Sequence, residues 1–355
     1  MADNSLKAVN DQRLKREIVE FHRNGENYRC LATLANRYKL TGLLSVGGFG
    51  VIYQAIDTRL FNKKVLIKAN RYDRRHLSVP NNNAVIQEVE TQRHRLEHER
   101  RMLLQAQARD ISQAPLVLEE IKDLGLDLYG PHKADDGQSH YYELKDLWKV
   151  EPFLVLSYVD GLPLDVILDK KTKHLVKDTF FRNHWGFTKS FIIQTAKIFQ
   201  RFHRQDKGAK GNLFSFIYQD LKPANLIFSW EKNFVLIDFG SFAVRVNGQT
   251  QPNFAKTGTL GYQPPEFTPN YPTDKIDARA DVFVLGATVY HMMTQQAPRA
   301  DAQGKSVFDD QAINKLPKQW QSWIKKSTHN DLSQRYQTMQ EALKDAFELP
   351  IREEK

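Results

Sequence analysis

The stretch FIYQDLKPANLIF, residues 216–228, constrains the fold more than any other part of the chain. Two apolar runs close on the polar segment Asp220-Leu221-Lys222-Pro223-Ala224-Asn225, which reads as two strands joined by a short loop. Rigid flanks let such a loop turn a carboxylate, a cation and an amide toward one point, where they can orient a hydroxyl, steady a phosphate and ligate a metal. Pro223 stiffens it. A turn that only caps two strands accounts for the proline and the asparagine but not for apolar runs so close on both sides.

Other segments carry matching chemistry. In FVLIDFGSF, Asp238 ends a buried-looking strand and Gly240 frees the backbone just after it. A carboxylate leaving an apolar strand calls for a compensating cation, typically Mg²⁺, and Asp238 with Asn225 makes an oxygen-ligand pair. The run NNNAVIQEVETQRHRLEHERRMLLQAQA is the longest helical pattern, capped by Asn82 or Asn83, with Val85, Val89, Leu96 and Leu103 on one face. Glu99 falls on that apolar stripe, so it either reaches solvent at the stripe's edge or meets a buried cation. Lys68 ends the apolar strand KKVLIKA and is the natural partner. Upstream, LLSVGGFGVIY places Gly47, Gly48 and Gly50 around Phe49 between two strands, a pattern that fits a flap over phosphates or an ordinary glycine-rich hairpin.

With 355 residues, of which 41% are hydrophobic, the chain can bury a sizeable core. A single cysteine, Cys30, rules out an internal disulfide; no secretory leader opens the sequence and no apolar run is long enough to span a bilayer, so a cytoplasmic location is expected. The net charge of +9 favours acidic partners, but the cations are dispersed among acids without interleaved aromatics and read as solvated faces, with nucleic-acid binding the lesser alternative. Leu14, Ile18 and Phe21 have helical spacing and predict one short helix in residues 1–36. A β-rich lobe is expected over 37–159, with a strand pair and surface loop within 108–148, and a mainly helical lobe over 160–349 followed by a short tail, 350–355.

Taken in order, the glycine-rich loop, the strand lysine, the helix glutamate, D-L-K-P-x-N, D-F-G and TGTLGYQPPE resemble the eukaryotic-type Ser/Thr protein kinase family, with a bacterial flavour to the last motif. The resemblance spans roughly 37–349 and extends to DARADVFVLGATVYHMM, similar to the family's central buried helix with Asp281, and to DLSQRY, whose Arg335 would pair with Glu266. It implies an α+β, bilobal fold: a small antiparallel N-lobe with one long helix, and a larger helical C-lobe. It also implies ATP with Mg²⁺, or Mn²⁺ in its place, and a protein substrate with a Ser or Thr acceptor; the oligomeric state is not legible. Ser45, Val46, Gly47, Gly48, Phe49, Gly50 and Ile52 would cover the nucleotide. Lys68 would hold its α- and β-phosphates and pair with Glu99. Leu156 would be the gatekeeper, and the backbone of Ser157 and Val159 would meet adenine. Asp220 would accept the proton of the substrate hydroxyl, Lys222 would contact the transferred phosphate, and Asn225 and Asp238 would hold the metal. Thr259, with Lys222, resembles the Ser/Thr-selective branch.

Four positions depart from the family pattern. Ser45 replaces the first loop glycine and Pro264 the alanine of the usual A-P-E, both with little expected consequence. Tyr218 and Gln219 stand where the family has His and Arg, and that Arg commonly gathers a phosphate on the activation segment. Since every position that performs transfer is present, the substitution is expected to alter regulation, with activity independent of phosphorylation between Asp238 and Glu266. A nucleotide-binding pseudokinase scaffold is the alternative. A small-molecule kinase fits less well, because GTLGYQPPE resembles a peptide-docking segment.

Overall fold

The computed structural model describes residues 7–11, 16–23, 25–47, 50–71, 82–125, 132–133, 139–140, 150–169 and 183–352. The chain divides into two compact units: residues 1–104 with 115–158, and residues 105–114 with 159–355.

In the first unit, β1 (Lys7–Asp11), β2 (Arg16–Arg23) and β3 (Glu26–Leu31) form an antiparallel sheet. The helix expected from Leu14, Ile18 and Phe21 is therefore corrected to a strand at residues 16–23; Leu14 lies outside the described residues. The β-branched pair Ile18-Val19 favours extended backbone, and cross-strand pairing with β3 satisfies the peptide groups, so an i, i+3 spacing of two apolar residues was an ambiguous signal.

Next come β4 (Thr33–Leu34), β5 (Tyr38–Val46), β6 (Gly50–Asp57), β7 (Lys63–Asn70), α1 (Asn82–Ala108), β8 (Val117–Leu124), a two-residue pair β9 (His132–Lys133) with β10 (Ser139–His140), and β11 (Val150–Ser157). A six-stranded sheet runs in the order β4-β5-β6-β7-β11-β8. Alternation puts Val51, Tyr53 and Ala55 of β6, Val65, Ile67 and Ala69 of β7, and Phe153 and Val155 of β11 on one face. Val19, Phe21, Tyr28 and Cys30 from the first three strands close that face into one core. Leu66, Lys68, Leu154 and Leu156, displaced by one residue, stand on the other face. On α1, Val89, Leu96, Glu99 and Leu103 are buried, while the side chains of Asn82, Asn83 and Val85 lie outside the described residues.

In the second unit, residues 105–114 carry Arg109, which donates to the carbonyls of Arg201 and Arg204. There follow β12 (Gly161–Pro163), α2 (Leu164–Leu168), α3 (His184–His203), β13 (Asp206–Lys207), β14 (Leu213–Ile217), β15 (Leu226–Ser229), β16 (Phe234–Leu236), β17 (Ala243–Val246) and β18 (Gln249–Thr250). The chain continues through α4 (Arg279–Thr294), the hairpin β19 (Arg299–Ala300) with β20 (Ser306–Val307), α5 (Asp310–Ile313), α6 (Lys318–Ser327) and α7 (Met339–Ala346). Residues 280–290 of α4 are all buried. The helix is therefore the centre of this unit, and its polar residues must find partners inside it.

Candidate active site

In the first unit, the alternation that sends Val65 and Ile67 into the core turns Lys68 to the opposite face of β7. There its Nζ lies 2.6 and 2.5 Å from the two carboxylate oxygens of Glu99 on α1. Both side chains are largely buried, so each charge offsets the desolvation of the other. A Cβ at Gly50 would stand 3.2 Å from the Ala69 carbonyl oxygen and 3.3 Å from Lys68 Cε; its missing side chain leaves the lysine stem its path along the strand. The Gly47 N–H closes the turn onto the Gly50 carbonyl at 2.9 Å, and Arg71 donates to the Gly47 carbonyl. Ser45 is exposed, Val46 packs at the edge of the core, and Ile52 lies beside Lys68 in register. Gly48 and Phe49 lie outside the described residues. Leu156 is buried opposite Leu66, and the Ser157 N–H donates to the Leu116 carbonyl. Val159 is half-buried at the start of the second unit's long segment.

In the second unit, the loop after β14 brings four of the expected residues together. Asp220 Oδ1 accepts from the Thr259 N–H at 2.9 Å and the Thr259 hydroxyl at 2.6 Å, while Oδ2 accepts from Lys222 Nζ and Asn225 Nδ2, each at 3.0 Å. Lys222 Nζ also donates to Thr259 Oγ1 at 2.5 Å. The loop is fixed from below by α4. Asp281, fully buried, accepts the N–H groups of Tyr218 and Gln219 and contacts His203 Nε2, and Thr288 donates to the Leu221 carbonyl. These bonds hold Gln219 at a φ of +71°, in the left-handed region, and so set the direction in which Asp220 leaves the chain.

Asn225 gives its Nδ2 to the backbone carbonyl and Oδ2 of Asp220, which leaves the amide oxygen as its acceptor end. Asp238 accepts the Gly240 N–H on one oxygen, and among the described residues no lysine or arginine pairs with it. An amide oxygen and an uncompensated carboxylate form a hard-oxygen donor set that suits Mg²⁺. Behind the loop, the Tyr218 ring lies 5.0 Å from Phe242, 5.6 Å from Phe199 and 6.2 Å from Phe239. Tyr218 thus fills an aromatic cluster under the site.

A family model described as the protein kinase domain matches residues 141–348, more than half of the chain. The chain belongs to the protein kinase domain family. A probable serine/threonine-protein kinase of Streptomyces coelicolor is 24% identical over 324 residues, covering 87% of this chain and 39% of that protein. The serine/threonine-protein kinase PknB of Mycobacterium tuberculosis is 29% identical over 150 residues, 41% of this chain and 20% of its own length. This kinase domain therefore spans two fifths or less of the length of these relatives. The autoinhibited serine kinase domain of the giant muscle protein titin aligns with a TM-score of 0.55 at 16% identity, covering 90% of this chain and 82% of that one. That likeness gives the fold: a protein kinase fold, with its β-rich N-terminal and helical C-terminal parts.

Sequence reasoning missed what Gln219 does in this kinase domain. Its Nε2 donates to the carbonyls of Ser241 at 2.5 Å and Phe254 at 2.8 Å, and its Oε1 accepts the Lys256 N–H at 2.8 Å. Lys256 Nζ in turn donates to the carbonyls of Thr268 and Tyr271. A neutral amide thus ties both ends of residues 241–256 with direct hydrogen bonds. Glu266 and Arg335 are both buried and pair in two bonds, at 2.7 and 3.1 Å.

Tyr262, also missed, meets Nδ1 of His291 at 2.6 Å. Burial, with the charge of Asp220 nearby, pushes the phenol up, and burial pulls the His291 imidazole below its ordinary 6.5, so the phenol donates and the neutral ring accepts. The unfolded chain takes up a proton as pH falls through about 6.5 while the folded protein resists, so this histidine stabilises above that range and loses its contribution on acidification. His291→Gln is expected to flatten the fall of melting temperature between about pH 7 and pH 5. An unchanged slope would remove the histidine as its source.

Proposed function

We propose that this chain is an ATP- and Mg²⁺-dependent serine/threonine protein kinase whose activation segment, Asp238 to Glu266, reaches its working conformation without phosphorylation. The observation that carries the catalytic part is the Asp220 carboxylate, held at both oxygens by Lys222, Asn225 and Thr259. An incoming serine or threonine hydroxyl displaces the Thr259 hydroxyl from Asp220 Oδ1 and is oriented by that carboxylate, which takes up its proton as the oxygen bonds to the γ-phosphorus of ATP and the bond from that phosphorus to the β,γ-bridging oxygen breaks, releasing ADP. Lys222 steadies the transferred phosphoryl group, and Lys68, fixed by Glu99, holds the α- and β-phosphates. Asn225 and Asp238 would hold Mg²⁺, which would neutralise charge on the phosphates. Residues 45–52 would cover the nucleotide, with Leu156, Ser157 and Val159 at the adenine. The two lobes of this reading run from 37 to 159 and from 160 to 349.

The regulatory part rests on Gln219 and on the hydroxyls of the segment. Ser241 donates to the Tyr218 carbonyl, Thr257 to the carbonyls of Ser241 and Phe254, and Thr250, buried, to the Ile276 carbonyl at 2.6 Å. Gln219 carries no charge to recruit a phosphate, and the contacts a phosphate would create are already made by its amide.

The catalytic reading is tested by supplying γ-labelled ATP, Mg²⁺ and a generic basic protein. Label on serine or threonine, lost in Asp238→Asn, supports it. Nucleotide that raises the melting temperature with no transfer would support a pseudokinase scaffold instead. For the regulatory part, Thr250→Ala with Thr257→Ala is expected to keep transfer within about tenfold of wild type, whereas a loss beyond about 100-fold, near 2.7 kcal/mol, would overturn it.

A further inference from the structure

The turn between β6 and β7 presents an aromatic side chain fully to solvent. Phe61 is 101% exposed and Leu60 47%, at the tip of a hairpin closed by the Lys63 N–H on the Leu60 carbonyl at 2.9 Å. Phe61 and Asn62 have φ of +50° and +59°, so a bulky residue occupies a left-handed position that glycine or asparagine fills with less strain. The turn is anchored rather than loose. Thr58 donates to the Arg37 carbonyl from both its N–H and its hydroxyl, and the Arg59 N–H is held by Asp57. Around the tip, Arg59, Lys63 and Lys64 are all exposed, and no acid occurs between residues 58 and 64. Asp57, the nearest carboxylate, is buried and neutralised by Arg37.

We propose that Leu60-Phe61 is a membrane-contact tip that enters the interface of an anionic bilayer while Arg59, Lys63 and Lys64 sit among the lipid phosphates. The two apolar side chains form a convex point of a few hundred Å² at most, well short of the roughly 800 Å² per partner of a specific protein interface. Insertion into a bilayer interface needs no complementary surface. It needs apolar side chains at the tip and cations just behind them, which is the order found here. The inference is independent of the catalytic reading, because none of these residues belongs to the proposed site.

The test is co-sedimentation of the full chain with phosphatidylcholine vesicles, with and without about 30% phosphatidylserine, at about 0.1 M salt. Wild type is expected to bind only the anionic vesicles. Phe61→Asn suits the left-handed turn and should keep the melting temperature while weakening binding about tenfold or more. Lys63→Glu with Lys64→Glu should weaken it comparably. No binding by wild type overturns the proposal. Binding unchanged in Phe61→Asn also overturns it, since the general charge of +9 would then account for the attraction.

Discussion

Asp220→Ala is expected to lower phosphoryl transfer by about 10³-fold, the scale of a positioned proton acceptor, while nucleotide still raises the melting temperature of the variant. The size follows from what the carboxylate does. In the proposed mechanism it accepts the proton of the substrate hydroxyl, and it is also the centre on which Lys222, Asn225 and Thr259 converge, so alanine removes the proposed acceptor and releases three side chains from their common anchor. Those effects fall on one unit and should not add to the cost of Lys222→Ala or Thr259→Ala. Initial rates of the single and double variants check this. Activity above about a tenth of wild type in Asp220→Ala would mean that another group accepts the proton.

Arg335→Met is expected to cost about 3–5 kcal/mol, because it leaves the Glu266 carboxylate buried without its partner. Arg335 also donates to the carbonyls of His329 and Arg279 and lies over the Phe283 ring, so the substitution loosens the connection between residues 264–267, α4 and the segment before α7. Denaturant titration measures the loss. The double variant Glu266→Gln with Arg335→Met should recover part of it, since no bare charge remains inside, and a single-variant loss below about 1 kcal/mol would show that the pair contributes little beyond packing.

How far the sequence could be read depended on the range of the interactions. The inward Glu99 and Lys68 of β7 each violate the apolar pattern of their own element, and two such violations identify each other as partners across the interval between them. The segment 220–225 was legible for a related reason, since its polar groups lie within six positions and have apolar strands on both sides. Roles for Leu156, Ser157 and Val159 came from the family resemblance, because nothing in their local pattern announces them. Gln219 was visible only as a missing arginine; its bonds to Ser241, Phe254 and Lys256 reach 22 to 37 residues along the chain, and no local periodicity encodes them. The first three strands were misread for the opposite reason. A short apolar spacing fits helix and strand alike until a neighbouring strand is there to pair with it, and here that neighbour makes residues 16–31 one cover of the first unit's core.

The most direct test is the initial rate of γ-phosphate transfer by protein first stripped of phosphate with a phosphatase, followed from the moment ATP and Mg²⁺ are added. A kinase whose segment is held by Gln219 begins at its full rate with no lag, and Asp220→Ala lowers that rate by about 10³-fold. A rate that rises only as the protein phosphorylates itself, or no transfer from wild type at all, would contradict the account.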